Sequence, residues 1–177
     1  LPFSMLAFHR LVERHTAGRA VVVGATLGAQ GLSCGYYGYF AGLMVGIGVI
    51  YYAVVRRLGT QPRYWATVGV AAVIALGIVV PFLLPYLALQ ADGAFAERTL
   101  AEAQTHAADW RSYLASSAIS HGWLLPLIGR WNDVLFPGFL ATLLAAFGVW
   151  TAVRDRAGRS PSRETAVLYL LIGGLAM

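Results

Sequence analysis

Lysine is absent from this 177-residue chain, and cysteine occurs once. Charge of either sign is scarce: 13 arginines and 8 acidic residues make up 12% of the sequence, where soluble domains carry about 25%. So thin a polar coat excludes an ordinary water-exposed surface, because 58% of the residues are hydrophobic and the mean hydropathy is +0.64. Lipid is the solvent that such a composition fits. The single Cys34 excludes a disulfide within the chain. No G-x-x-x-x-G-K, H-E-x-x-H or C-x-x-C occurs, so the common phosphate, zinc and dithiol motifs are missing. The chain starts on Leu1 without a leader pattern and stops inside the apolar run "LYLLIGGLAM". It reads as an internal piece of a longer protein.

What is present is a set of apolar runs separated by small arginine clusters. The net charge of +5 could signal nucleic acid, but clusters flanking apolar runs are a topology pattern, and no nucleic-acid partner is expected. Ala20 to Val55 is 36 residues without a charge. As one helix it would be about 54 Å long, against a hydrocarbon core of about 30 Å. A break is therefore expected at "LSCGYYGYF", where Gly31, Ser33, Gly35 and Gly38 surround Tyr36, Tyr37 and Tyr39. Glycine loosens the helix, and tyrosine favours the membrane interface.

Charge counting supports two spans there. Arg10, Arg14, Arg19, Arg56, Arg57, Arg63, Arg154, Arg156, Arg159 and Arg163 then share a side with Glu13, Asp155 and Glu164, a net of +7. The opposite side holds Arg98, Arg111 and Arg130 against Asp92, Glu97, Glu102, Asp109 and Asp133, a net of −2. The positive-inside rule puts the first set in the cytoplasm. The expected fold is all-α: a polytopic transmembrane helical bundle with a helical or irregular external loop, in a single membrane domain over 1–177. It comprises a surface helix at 4–16, spans near 18–33, 36–55, 64–85, 135–153 and 165–177, and an external loop at 86–134. Pro81 and Pro85 are expected to kink the outer end of the third span. The expected location is the cell (inner) membrane, multi-pass, with the bilayer as the first partner.

Two external places carry polar groups. At the first break, Gln30, Tyr36 and Tyr37 form either a pocket wall or an ordinary interfacial turn, and Cys34 reads as a small packing residue. In the loop, Arg98, Glu102, His106 and Asp109 are spaced 4, 4 and 3, which lines one helix face. That face is a stripe of ion pairs or a polar rim. No metal signature is matched and no cofactor is expected, although Glu102, His106 and Asp109 leave room for a divalent cation. Beyond them, Trp110, Arg111, Tyr113 and His121 combine aromatic rings with cations. Rings stack on sugars and arginine pairs with phosphate, so the loop suits a phosphate-linked sugar or a re-entrant anchor.

The order "LSCGYYGYF", "PFLLPYL", "HAADWRSYL" and "LFPG" resembles the middle of large multi-pass bacterial membrane proteins related to the GT-C glycosyltransferases. The resemblance covers most of residues 1–150. It implies transfer of a sugar from a polyprenyl-phosphate donor on the outer face of the membrane. It also implies that "GYYGYF" and "ADWRSYL" face one outer cavity, with Gln30, Tyr36, Tyr37, Asp109, Trp110, Arg111, Tyr113 and His121 as substrate-binding candidates. The family's catalytic acidic residue lies in a first external loop that has no counterpart here, so the catalytic residue stays unassigned. A transporter or lipid flippase, or a non-catalytic membrane scaffold, is the competing reading.

Overall fold

Cys34 interrupts the long uncharged run. Helix α2, Ala17–Ser33, ends there and helix α3, Gly35–Val55, begins one residue later. Cys34 has extended backbone angles, φ −162° and ψ 121°. Its N–H donates to the Gln30 carbonyl and its own carbonyl accepts from Gly38 N–H, so one residue closes one helix and opens the next. At the crossing the two backbones meet at Gly31 and Gly38, where a Cβ on Gly38 would collide with the Gly31 Cα. Only glycine on both sides of the turn permits that approach.

The computed structural model describes residues 1–91, 100, 110–116, 118–124, 126, 135–154 and 161–175. No strand occurs among them, and their regular structure is helical throughout. It divides into two units, Leu1–Ala96 and Glu97–Met177.

In the first unit, α1 (Pro2–Glu13), α2, α3 and α4 (Pro62–Ala91) pack with α2 at the centre. The segment anticipated as a surface helix forms α1 and lies antiparallel along α2. The Leu1 nitrogen hydrogen-bonds Gln30 Oε1 at one end, and Arg19 donates to the Arg10 carbonyl at the other. Phe8, Leu11 and Val12 of α1 are buried. Leu11 joins Ala20, Val23 and Ala71 in the core, with Leu27 packed on it. Helix α3 returns antiparallel to α2: Gly31 meets Gly38 at the turn, and further along Phe8 sits against Gly48.

Helix α4 runs parallel to α2 and makes its most extensive contact. A Cβ built on Gly24 would lie 2.6 Å from the Ala71 carbonyl oxygen, and one on Gly28 would lie 2.8 Å from Ile78 Cβ. The α2 backbone is pressed onto α4 along Gly24-x-x-x-Gly28, against the Ala71 carbonyl and the Ile78 side chain, the small-residue spacing that lets membrane helices approach closely. Between α3 and α4, Arg57 takes left-handed angles (φ 55°) before a short 3-10 turn at Leu58–Thr60. The Trp65 indole donates to the Gly59 carbonyl at 2.8 Å and holds that turn on the start of α4. Helix α4 continues through both Pro81 and Pro85.

Helices α3 and α4 are long and apolar enough to cross a membrane. Helix α2 has 17 residues, and in the second unit α5 (Phe139–Arg154) and α6 (Pro161–Leu175) have 16 and 15. At ~1.5 Å per residue these are about 23–26 Å long, somewhat below the hydrocarbon thickness of about 30 Å. Helices α5 and α6 pack on each other, with Ala152 and Leu168 buried. Ahead of α5, a 3-10 turn at Trp110–Leu114 is tied to the segment that opens the helix. Leu135 N–H donates to the Ser112 carbonyl at 2.9 Å, and Phe136 N–H donates to the Ala115 carbonyl at 3.0 Å.

Candidate functional site

An apolar cleft of about 360 Å³ separates α3 from α4, with α1 and α2 behind it. It exists because α2 contacts both helices while α3 and α4 scarcely touch. Leu27, Gly42, Gly46, Val49, Ala72 and Leu76 are among its walls. Gly38, Gly42 and Gly46 form one stripe on α3, but only Gly38 meets a neighbour. A Cβ at Gly42 or Gly46 would find no heavy atom within 4 Å. Such a stripe ordinarily lets another helix approach; here it faces unfilled space. None of the cleft's lining residues is ionisable. The cleft can hold hydrocarbon, and it offers no acid, base or nucleophile.

Sequence inspection missed both this cleft and the α2–α4 seam. The signal was available in two G-x-x-x-G spacings, Gly24/Gly28 and Gly42/Gly46, which are alike in sequence but serve opposite ends. A third pattern passed over is Gly31-Leu-Ser33-Cys-Gly35, which has the spacing of a nucleophile elbow. The geometry is wrong for one. Ser33 lies at the end of a helix, and its hydroxyl donates to the Ala29 carbonyl at 2.8 Å. No strand precedes it among the described residues, and His9 and His15 belong to the other end of the unit.

The helix directions gather Arg10, Arg14, Arg19, Arg56, Arg57 and Arg63 at that other end. His9 and His15 stand among them. His9 Nδ1 hydrogen-bonds the Tyr52 hydroxyl at 3.3 Å, and the Arg56 guanidinium lies over the Tyr52 ring at 4.9 Å. His15 meets Tyr64 edge-on at 5.3 Å, and its Nε2 is shut off from solvent without a hydrogen-bond partner. Both histidines titrate below their ordinary value of 6.5, first because burial disfavours the charged ring and then because Arg56 repels it; Glu13 partly offsets this at His9.

The sequence candidates fall in three groups. Gln30, half-buried at the end of α2, and Tyr36 and Tyr37, 71% and 58% exposed at the start of α3, cluster at the Cys34 turn. Tyr113 is half-buried in the 3-10 turn of the second unit. The backbones of Trp110, Arg111 and His121 belong to 3-10 turns of that unit, but their side chains, together with Asp109, Glu102 and His106, lie outside the described residues. Among the described residues no group of three His, Cys, Asp or Glu side chains is arranged to hold a metal. The backbone bonds from Leu135 and Phe136 do bring "WRSYL" and "LFPG" together. The Trp123 ring stacks on Phe139 at 6.2 Å, at the entrance to α5.

Comparison with family models, curated proteins and solved structures finds no match to this chain.

Proposed function

We propose that the chain is a multi-pass unit of an inner-membrane protein of the GT-C glycosyltransferase type, and that the α3–α4 cleft receives the hydrocarbon chain of a polyprenyl-phosphate sugar donor. The observation that carries this reading is the cleft itself, with two glycines facing open space and walls without an ionisable group. An isoprenoid chain has the matching chemistry: wholly apolar, flexible, and drawn from the bilayer. The membrane setting is supported by the surface of α4, where Val73, Leu76, Phe82 and Leu84 are between 58% and 70% exposed. Large apolar side chains exposed on opposite sides of one helix call for lipid or other helices as their cover. Six arginines at one end of the first unit supply a cytoplasmic anchor.

In this arrangement the Cys34 turn lies at the outer face. Gln30, Tyr36 and Tyr37 border the sugar or the prenyl head there. Within the second unit, Arg111 is the residue proposed to pair with a sugar-linked phosphate, and Asp109, Trp110, Tyr113 and His121 are the other candidates of that segment. Helix α1 shares the depth of α2 as a packed partner along its length. The test is photo-crosslinking of the membrane-embedded protein with a prenyl phosphate bearing a benzophenone in its chain. Labelling should fall on α3 and α4 peptides and drop sharply in Gly42→Leu/Gly46→Leu. Equal labelling of the filled variant rejects the assignment.

A lipid transporter or flippase is the second reading, favoured by the same absence of ionisable groups from the cleft walls. It predicts crosslinking without any consumption of the sugar donor by the full-length protein.

A further inference from the structure

A second groove, about 420 Å³ in volume, runs between α1 and α2 on a different face of the first unit. Its size falls within the roughly 300–1,000 Å³ range of small-molecule sites. Phe3, Leu6, Val22 and Thr26 line its length, and Arg10 and Arg19 stand together at one end. The Thr26 hydroxyl is turned back onto the Val22 and Val23 carbonyls, at 2.9 and 3.0 Å, so it presents little polarity to the groove. Phe3, Leu6 and Val22 are 78%, 49% and 52% exposed. No atom lies within 4 Å of where a Gly18 Cβ would stand, so the arginine end is also open. The result is an apolar channel with a cationic mouth.

We propose that this groove is a binding site for one anionic phospholipid of the cytoplasmic leaflet, with an acyl chain along Phe3, Leu6 and Val22 and the phosphate between Arg10 and Arg19. The inference rests on the membrane placement proposed above. Charge complementarity selects this occupant. A hydrophobic helix would leave the arginines facing apolar side chains. A free phosphate would leave the walls exposed to water, and a zwitterionic lipid would gain less from the cationic pair. Glu13 lies 3.9 Å from Arg19 and is two-thirds exposed. Arg10 and Arg19 both line the mouth, which against the one Glu13 carboxylate still carries a net positive charge. The two arginines are held in register by the Arg19 guanidinium donating to the Arg10 carbonyl, so α1 must stay docked on α2 for the mouth to exist.

The experiment is native mass spectrometry of the chain purified in detergent, titrated with phosphatidylglycerol or phosphatidylcholine of identical acyl chains. At about fivefold per arginine near an anionic headgroup, the pair predicts a preference for phosphatidylglycerol of roughly tenfold to thirtyfold. Arg10→Gln/Arg19→Gln should reduce that preference to about twofold or less, with phosphatidylcholine retention unchanged. Val22→Trp should lower retention of both lipids by filling the channel. Equal binding of the two lipids, or a preference untouched by the arginine pair, overturns the proposal. Alkaline carbonate extraction of expressing membranes separates the two levels. Release of the chain defeats the membrane placement and this site with it. Retention without a headgroup preference defeats this site alone.

Discussion

The Tyr64 hydroxyl donates a 2.7 Å hydrogen bond to the Val49 carbonyl oxygen, joining the first turn of α4 to the last third of α3. Tyr64 is fully buried, and His15 packs edge-on against its ring. Since α3 and α4 scarcely touch elsewhere, this bond closes the arginine end of the cleft while the rest stays open.

Tyr64→Phe should therefore keep the ring packing and lose the tether, costing about 1 kcal/mol. Tyr64→Ala removes a buried ring as well and should cost about 3–5 kcal/mol. Thermal unfolding in detergent, followed by circular dichroism, measures both. A Phe variant as damaged as the Ala variant would place the value of Tyr64 in something other than the hydroxyl.

Two glycine substitutions should have opposite signs. Gly28→Ala inserts a Cβ 2.8 Å from Ile78 Cβ, an overpacked seam that costs about 1–3 kcal/mol. Gly69→Ala, within α4, meets nothing within 4 Å and should stabilise by about 0.5–1 kcal/mol through helix propensity. The same unfolding assay reads the contrast, and identical effects would contradict the close α2–α4 approach.

The histidine pair gives stability a direction with pH. Both rings have folded pKa values below 6.5, so the unfolded chain takes up protons first as pH falls. Their contribution is fully present above pH 6.5 and is lost as the pH drops from there through the folded values. Unfolding midpoints measured from about pH 8 to pH 5 should be flat and then decline. His9→Gln/His15→Gln should flatten the decline; an unchanged slope would assign it to other groups.

Sidedness is testable with the chain's only cysteine removed. In a Cys34→Ala background, a membrane-impermeant maleimide added to intact spheroplasts should label Tyr37→Cys and spare Arg57→Cys. The reverse pattern would invert the orientation assigned from the arginines, and labelling of both would contradict a crossing by α3.

On the proposed function, Arg111→Ala should lower sugar transfer by roughly a hundredfold or more, as expected for loss of a charge-stabilising group, with insertion intact. Undiminished turnover would remove Arg111 from the phosphate role.

Much of the helical skeleton was legible because its signals are local. A 36-residue uncharged run is too long for one span, and the expected boundaries at 33 and 36 flank the observed break at Cys34. Arg56, Arg57 and Arg63 likewise mark the connection from α3 to α4. The lengthwise packing of α1 on α2 was not legible. Its moderate amphipathicity fits a membrane surface and a helix groove equally well, and only the pairing of Leu1 with Gln30 and Arg10 with Arg19 distinguishes them. Of the candidate residues, the structure brings Gln30, Tyr36 and Tyr37 to one turn, as their adjacency already required.

Composition and charge placement alone determined that this chain is helical, rich in apolar runs, and broken at its glycine–tyrosine segment. Each of these follows from the length of a run or the position of a charge along one dimension. Which glycines are filled and which face space was decided only in three dimensions. Gly24 and Gly28 have the same spacing in the sequence as Gly42 and Gly46. The α2 pair is pressed onto α4, while the α3 pair faces an open cleft, because α2 takes up the contact that α3 and α4 would otherwise make with each other.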